Sequence, residues 1–243
     1  MKKTAVILAG GLGTRLRSVV NDRPKPMALV NDIPFLAHQI DYWRAAGVQR
    51  FILSIGYKSN LIVDYFGSSF HGAQIDYVVE DTPIGTGGGL VLAIKQTKLA
   101  TPFLLLNGDT YFNVELDELI DYSLEKDAEL TFSLFKTEDK KRYMGMEINE
   151  NGQVESLNTV SYAKPYNLAN GGVYWVQNPG VLYEYFTNLA NPVSFESDIL
   201  PSILKNGNRL FGFEWEGDFI DIGVPEDYFR AGSILNRVDK IRT

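Results

Sequence analysis

The chain contains no cysteine. Its absence excludes disulfides, thiolate-bound zinc, iron–sulfur clusters and a cysteine nucleophile. Only two histidines occur, His38 and His71, which excludes a histidine-rich metal centre. Basic residues are in the minority: 23 Lys+Arg against 30 Asp+Glu give a formal net charge of −7. That balance argues against a sequence-independent grip on DNA or RNA, so no nucleic-acid partner is expected. A small phosphate-bearing ligand held by local groups stays compatible with it. No apolar run approaches the roughly 18–20 residues needed to span a bilayer. Lys2-Lys3 before Thr4-Ala5-Val6-Ile7-Leu8-Ala9 faintly echoes a secretory leader. The run is short and leads into glycines and an arginine, not a cleavage site. A soluble, cytoplasmic protein without a membrane partner is expected.

What is present is an ordinary globular mixture: 243 residues, 45% apolar and 22% charged. One domain spanning residues 1–243 is the expectation at this length. Its first half alternates strand-like and helix-like segments. Ala5–Ala9, Phe51–Ile55, Ile75–Val79 and Phe103–Leu106 read as buried strands. Pro34–Ala46, Ser59–Phe66 and Gly85–Gln96 read as the helices between them. Such alternation predicts an α/β fold with a mixed, mainly parallel sheet flanked by helices. The second half is less regular. Leu130–Phe135, Met144–Ile148, Val154–Leu157, Gly172–Val176, Leu210–Phe213 and Asp218–Ile222 read as strands, with Asn151-Gly152 as a hairpin turn. Pro179–Leu189, Ser197–Lys205 and Pro225–Asn236 read as helices, the last with proline in its first turn.

Two segments near the N-terminus carry chemistry. Leu8-Ala9-Gly10-Gly11-Leu12-Gly13-Thr14-Arg15-Leu16 follows the first strand directly. Glycines there let successive backbone N–H groups form an anion cradle, and Arg15 adds a forked charge suited to phosphate oxygens. The spacing is neither a Rossmann fingerprint nor a Walker A loop, because no Gly-Lys-Ser/Thr follows. In Arg23-Pro24-Lys25-Pro26-Met27, two prolines stiffen the backbone on both sides of one lysine, lowering the entropy lost when it meets a ligand. Two further aspartates stand out: Asp109 in Asn107-Gly108-Asp109 after a buried strand, and Asp221 within a short apolar strand. Two hard carboxylates, completed by phosphates and water, suit Mg2+.

Gly-Gly-x-Gly-Thr-Arg-Leu followed by Pro-Lys-Pro-Met resembles the entry signature of the sugar-1-phosphate nucleotidylyltransferases. The resemblance continues in order through Glu80–Gly88, Leu106–Asp109, Ala163-Lys164-Pro165, Asn170-Gly171-Gly172 and Phe219–Pro225. It runs from Ala5 to about Tyr228 and implies a Rossmann-like nucleotidyltransferase (GT-A-like) fold. A nucleotide-binding half would occupy about residues 1–112 and a small sugar-binding lobe about 113–243. It also implies attack of a sugar-1-phosphate oxygen on the α-phosphorus of a nucleoside triphosphate, assisted by Mg2+ on Asp109 and Asp221. Arg15 would hold the leaving pyrophosphate and Lys25 the α-phosphate. Leu8, Ala9, Gly10, Gly11, Gly13, Thr14, Glu80, Gly85 and Thr86 would bind the nucleotide. Lys164 would hold the sugar phosphate, with Gly145, Asn170 and Glu196 near the sugar.

Base choice rests on Glu80. A carboxylate only accepts hydrogen bonds and can take both donors on guanine's pairing edge; thymidylyl members usually place glutamine there. GTP and a sugar 1-phosphate are therefore the expected substrates. The wording of residues 12–28, with Ser18-Val19-Val20 after Arg17, resembles the branch of D-glycero-α-D-manno-heptose 1-phosphate guanylyltransferases. A UTP-dependent hexose or amino-sugar enzyme, a mannose-1-phosphate guanylyltransferase and a non-catalytic nucleotide sensor are the alternatives. Retention of Arg15, Lys25, Asp109, Lys164 and Asp221 counts against the last. A single activity is expected. The 13 Tyr, 14 Phe and 3 Trp serve a core or an interface, and a symmetric homodimer is the default assembly.

Overall fold

The computed structural model describes residues 2–11, 13–139, 142–159, 165–187 and 192–241. In its first half, β1 (Thr4–Leu8) is followed by a small hairpin, β2 (Leu29–Val30) and β3 (Ile33–Pro34), and by helix α1 (Phe35–Ala45). Then come β4 (Arg50–Ile55), α2 (Ser59–Phe66), β5 (Ser69–Phe70), β6 (Ala73–Val79), α3 (Gly85–Thr97) and β7 (Phe103–Asn107). The second half holds β8 (Thr110–Phe112), α4 (Leu116–Glu125), β9 (Leu130–Thr137), β10 (Gly145–Ile148), β11 (Val154–Leu157) and β12 (Asn167–Val176). It closes with α5 (Leu200–Lys205), β13 (Leu210–Glu214), β14 (Phe219–Asp221) and α6 (Pro225–Ile241).

Among the described residues, ten strands form one mixed sheet. Its parallel centre runs β6-β4-β1-β7, with β5 antiparallel on one edge. The sheet continues across residue 112: β12 lies antiparallel to β7, β9 antiparallel to β12, and β13 parallel to β9. Side chains alternate between two cores. On one face Ile7, Phe51, Leu53 and Leu106 meet Leu36, Ile40 and Trp43 of α1 together with α2, α4 and α6. On the other, Val6, Ile52 and Leu105 meet Leu90, Val91 and Ile94 of α3 together with α5. Strands buried on both faces explain why the sequence shows continuous apolar runs there and not an alternation.

Two departures from the sequence reading have local causes. The strand expected at Gly172–Val176 begins at Asn167. Asn170-Gly171-Gly172, of which only Gly172 falls in the expected strand, is a bulge inside β12, where the register on β9 shifts. Before the bulge β12 pairs with β10; after it, with β7. Gly172 has φ 70°, a backbone region that costs an L-residue, and the Asn170 side-chain oxygen accepts its N–H at 3.0 Å. Helix α4, absent from the sequence reading, buries Leu116 and Leu119 and carries Asp117 and Glu118 in its first turn. That acidic start complements the helix dipole. Among the described residues no helix is long and apolar enough to cross a membrane.

Candidate active site

The glycine loop, the Lys25 turn, the Asp109 turn and the start of α3 meet at the carboxyl ends of β1 and β7. They line a cleft of about 310 Å³ that includes Leu8, Ala9, Gly11, Gly13, Thr14, Arg15, Lys25, Thr86, Asp109 and Glu196. A recess of about 160 Å³ adjoins it, sharing Leu8, Gly11 and Thr86 and adding Gly10, Ser54, Glu80 and Gly85. Gly13 adopts φ 58°, and a Cβ placed on it would lie 2.9 Å from Cβ of Lys25. The loop therefore passes too close to the lysine turn for any side chain but hydrogen.

Two carboxylates face each other across the Lys25 ammonium. Lys25 Nζ donates to Asp109 Oδ2 at 2.6 Å and lies 3.9 Å from Asp221 Oδ1. The backbone explains how residues 112 positions apart arrive together. β8 and β14 form an antiparallel pair that sets Asp221 opposite Thr110, and the Ile222 N–H donates to the Asp109 carbonyl at 2.9 Å. Burial and then the charge of Asp109 push the Asp221 carboxyl above its ordinary range, while Lys25 and the Gly223 N–H at 2.6 Å pull it back. Two like charges brought this close are stabilised by a cation between them. Among the described residues no cluster of three or more metal-ligating side chains occurs. A hard divalent ion satisfied largely by phosphate and water oxygens is what such a pair suits.

Glu80 points inward. Its carboxylate accepts from Ser54 Oγ at 3.2 Å and from the Ile84 N–H at 3.3 Å, and burial raises it above the ordinary glutamate range. Glu196 reaches the cleft from a capped turn, Phe195–Ile199. Ser194 Oγ accepts the Ser197 N–H at 3.1 Å, while Asp198 accepts the Ser194 N–H at 2.7 Å. The Glu196 carboxylate then accepts from Thr86 Oγ1 at 2.9 Å and from Asn107 Nδ2 at 3.5 Å.

Two expected sugar contacts lie apart from the cleft lining. Gly145 is buried in β10 opposite Ala169, its carbonyl accepting the Thr159 N–H at 3.1 Å. Asn170 occupies the β12 bulge, where its Nδ2 donates to Tyr174 Oη at 2.7 Å. Lys164 lies outside the described residues.

A family model described as nucleotidyl transferase matches residues 4–237. The chain belongs to the nucleotidyl transferase family. It is 38% identical over 227 residues to the D-glycero-alpha-D-manno-heptose 1-phosphate guanylyltransferase of Aneurinibacillus thermoaerophilus, covering 93% of this chain and 96% of that protein. Identity is 36% to the enzyme of the same name from Campylobacter jejuni, with the same coverage of both chains. The crystal structure of HddC from Yersinia pseudotuberculosis complexed with GMP-PN superposes with a TM-score of 0.79 at 35% identity, covering 95% of this chain and 98% of that one.

In this nucleotidyl transferase the sequence reading passed over Ser54 and Asn107, which hold Glu80 and Glu196 in place. Ser54 has a sequence signal: it is the lone hydroxyl in the apolar strand Arg50–Ile55 and is fully buried. Nothing in the local sequence of Asn107, in Asn107-Gly108-Asp109, distinguishes it.

Proposed function

We propose that the chain transfers GMP from GTP to D-glycero-α-D-manno-heptose 1-phosphate, yielding GDP-heptose and pyrophosphate. The observation that carries the base assignment is Glu80. Its carboxylate is turned into the recess beside the glycine loop and fixed by one donor on each oxygen. Lone pairs left on both oxygens suit the two adjacent donors of guanine, and a site built this way rejects bases that leave those groups unpaired. The sugar assignment draws support from the likeness to the two heptose 1-phosphate guanylyltransferases.

An oxygen of the sugar 1-phosphate attacks the α-phosphorus in line. The bond from that phosphorus to the β-bridging oxygen breaks, and pyrophosphate leaves with the electron pair. Reactants of like charge make neutralisation and alignment the main tasks. Backbone N–H groups of Gly11, Gly13 and Thr14 face the triphosphate, Arg15 the departing pyrophosphate, and Lys25 the charge growing at the α-phosphate. Lys164 holds the sugar phosphate, and Glu196, which lines the cleft, serves the sugar. Asp109 and Asp221 would hold Mg2+, which supplies Lewis-acid neutralisation of the phosphate oxygens.

The same proposal places the enzyme in the cytoplasm and makes it a homodimer. Phe229 of α6 is 71% exposed, Leu29 and Ile33 of the hairpin are exposed too, and Tyr228 Oη ties α6 to the hairpin by donating to the Leu29 carbonyl at 2.7 Å, which supports a dimer contact on this side. Sedimentation as a monomer at micromolar concentration overturns that part.

A pyrophosphate-release panel tests the rest, crossing GTP, UTP, dTTP, CTP and ATP with heptose, mannose, glucose and N-acetylglucosamine 1-phosphates. Turnover confined to GTP with the heptose phosphate is expected. Preference for UTP refutes the role of Glu80, preference for mannose 1-phosphate refutes the sugar, and inactivity of folded protein refutes the enzyme reading.

A further inference from the structure

Helix α1 turns an apolar face inward, with Phe35, Leu36, Ile40 and Trp43 all buried. Gln39 lies in that face, only 1% exposed. Its Nε2 donates to the Asn107 carbonyl at 2.9 Å and also to the Thr110 carbonyl. Its Oε1 is buried and has no hydrogen-bond partner among the described residues. The amide orientation is forced, because two carbonyls can only face the NH2 end.

A buried amide with an unmet acceptor is destabilising, because that oxygen has given up its water without a replacement. Leucine or methionine at this position would fill the same apolar surroundings without that cost, so packing gives no reason for glutamine. The two accepting carbonyls do. Asn107 ends β7 and Thr110 begins β8. Between them stands Asp109. One side chain thus ties both ends of the four-residue turn that carries the carboxylate. The turn has other anchors: the Gly108 N–H donates to the Leu8 carbonyl at 2.9 Å, the Asp109 carbonyl accepts the Ile222 N–H at 2.9 Å, and Thr110 Oγ1 reaches the Asn107 carbonyl at 3.5 Å. The first two fix the turn to β1 and to the approach of β14. The third spans its two ends only at the limit of hydrogen-bond distance, whereas Gln39 holds the Asn107 carbonyl at 2.9 Å and the Thr110 carbonyl with the same amide.

We propose that Gln39 is a positioning residue for the Asp109 carboxylate. From the core side of the sheet it fixes the Asn107–Thr110 turn, and with it the placing of Asp109 against Asp221 and Lys25. It touches neither substrate nor ion. The inference rests on the reading of Asp109 as an ion-holding carboxylate. Acting through the backbone, Gln39 affects the ion held by the carboxylate pair and leaves the base recess around Glu80 untouched.

The test uses the full-length protein with Gln39→Met, which keeps length and volume but has no donor, beside Gln39→Leu as a second packing solution and Asp109→Asn as a control. Mn2+ binding is followed by electron paramagnetic resonance with and without GTP. In parallel, the Mg2+ concentration for half-maximal rate, the KM for GTP and the thermal midpoint are measured. Loss of a partner that orients a metal ligand weakens metal affinity by about 10–100-fold, and the lower end is expected in whichever donor-free variant folds. The KM for GTP should stay within about twofold and the thermal midpoint should hold, as expected for a site effect that spares the core. Wild-type Mn2+ affinity in a folded donor-free variant overturns the proposal. So does a fall in affinity matched by a fall in stability and a rise in the KM for GTP. If Asp109→Asn binds Mn2+ like the wild type, the reading of Asp109 has failed, and that outcome is separate from the behaviour of Gln39.

Discussion

On the role proposed for Glu80, its replacement by glutamine should separate base recognition from everything else the cleft does. The carboxylate is held by Ser54 Oγ at 3.2 Å and by the Ile84 N–H at 3.3 Å, one donor on each oxygen. Glutamine keeps the length and one acceptor but presents an NH2 where guanine presents a donor. A hydrogen bond to a charged group is worth about 1.5–3 kcal/mol, so kcat/KM for GTP should fall about 10- to 150-fold. ITP, which lacks the 2-amino donor, is the internal standard. It loses less than GTP in the variant, so the GTP/ITP ratio narrows. Relative use of UTP rises, because an amide can face a donor flanked by acceptors. Steady-state pyrophosphate release with the three nucleotides at fixed sugar phosphate measures all of this. An unchanged GTP/ITP/UTP ranking in a folded variant refutes the reasoning. A thermal series guards against the trivial explanation. Burial raises the Glu80 carboxyl above its reference value of 4.5 in the fold, so the folded state favours the protonated form. The penalty for ionisation is absent below the ordinary glutamate range. It grows as pH rises through the raised folded value, then levels off. The midpoint of Glu80→Gln relative to the wild type should therefore climb with pH across that window and flatten above it.

Lys25→Met should lower kcat by about 10²–10³, as loss of one preorganised donor at developing charge does, while the KM for GTP changes far less; rapid-quench turnover measures it. Asp109→Asn and Asp221→Asn should each raise the Mg2+ requirement, and chelation of divalent ions should abolish wild-type turnover, with restoration on readdition of Mg2+ checking reversibility. Gly172→Ala forces a Cβ into φ 70° against Thr110 Oγ1. It should destabilise the fold by at least about 1–2 kcal/mol, read as a shift in the urea midpoint. Asp76 is held below the ordinary aspartate range by Gln74 and Arg50 against the opposing effect of burial. Asp76→Asn should therefore cost stability at neutral pH, and the deficit should vanish as pH falls through the lowered folded value.

The first half of the fold was legible because its strands are buried on both faces and its connections are helices, so period and turn chemistry agree. Ala5–Ala9 became Thr4–Leu8, and Pro34–Ala46 became Phe35–Ala45. The second half hid two things that local sequence does not encode. One is the β12 bulge: Asn170-Gly171-Gly172 has turn chemistry, and only the partner change from β10 to β7 makes it a strand interior. The other is the pairing of β8 with β14, two three-residue strands whose register depends on chain closure across the whole domain. At the site, residues that project backbone or charge into the cleft were readable from motif chemistry. Ser54, Asn107 and Gln39 were not, since each does its work by holding another residue, and that relation exists only in three dimensions.

Strand order explains why the charged groups gather where they do. From β1 the chain steps to β4 and then outward to β6, and returns to place β7 on the other side of β1. The loops leaving β1 and β7 therefore diverge, opening a crevice at the carboxyl ends of the strands, the position where open α/β sheets bind ligands. The glycine loop leaves β1 into this crevice and the Asp109 turn leaves β7 into it. Neither loop can supply a second carboxylate. That one comes from the far end of the chain, because β14 pairs with β8 immediately after Asp109. The carboxylate pair thus forms only when the last strand has docked, and the C-terminal helix α6 follows Asp221 within four residues. Loss of α6 contacts should then lower Mn2+ affinity before it disturbs the base recess, whose parts all come from residues 8–86. Weakening the helix with Ala231→Gly, at a fully buried α6 position, provides the check. Mn2+ affinity should fall while the GTP/ITP preference at saturating metal holds. Parallel loss of both would show that the crevice folds as one unit and that strand order does not divide its assembly.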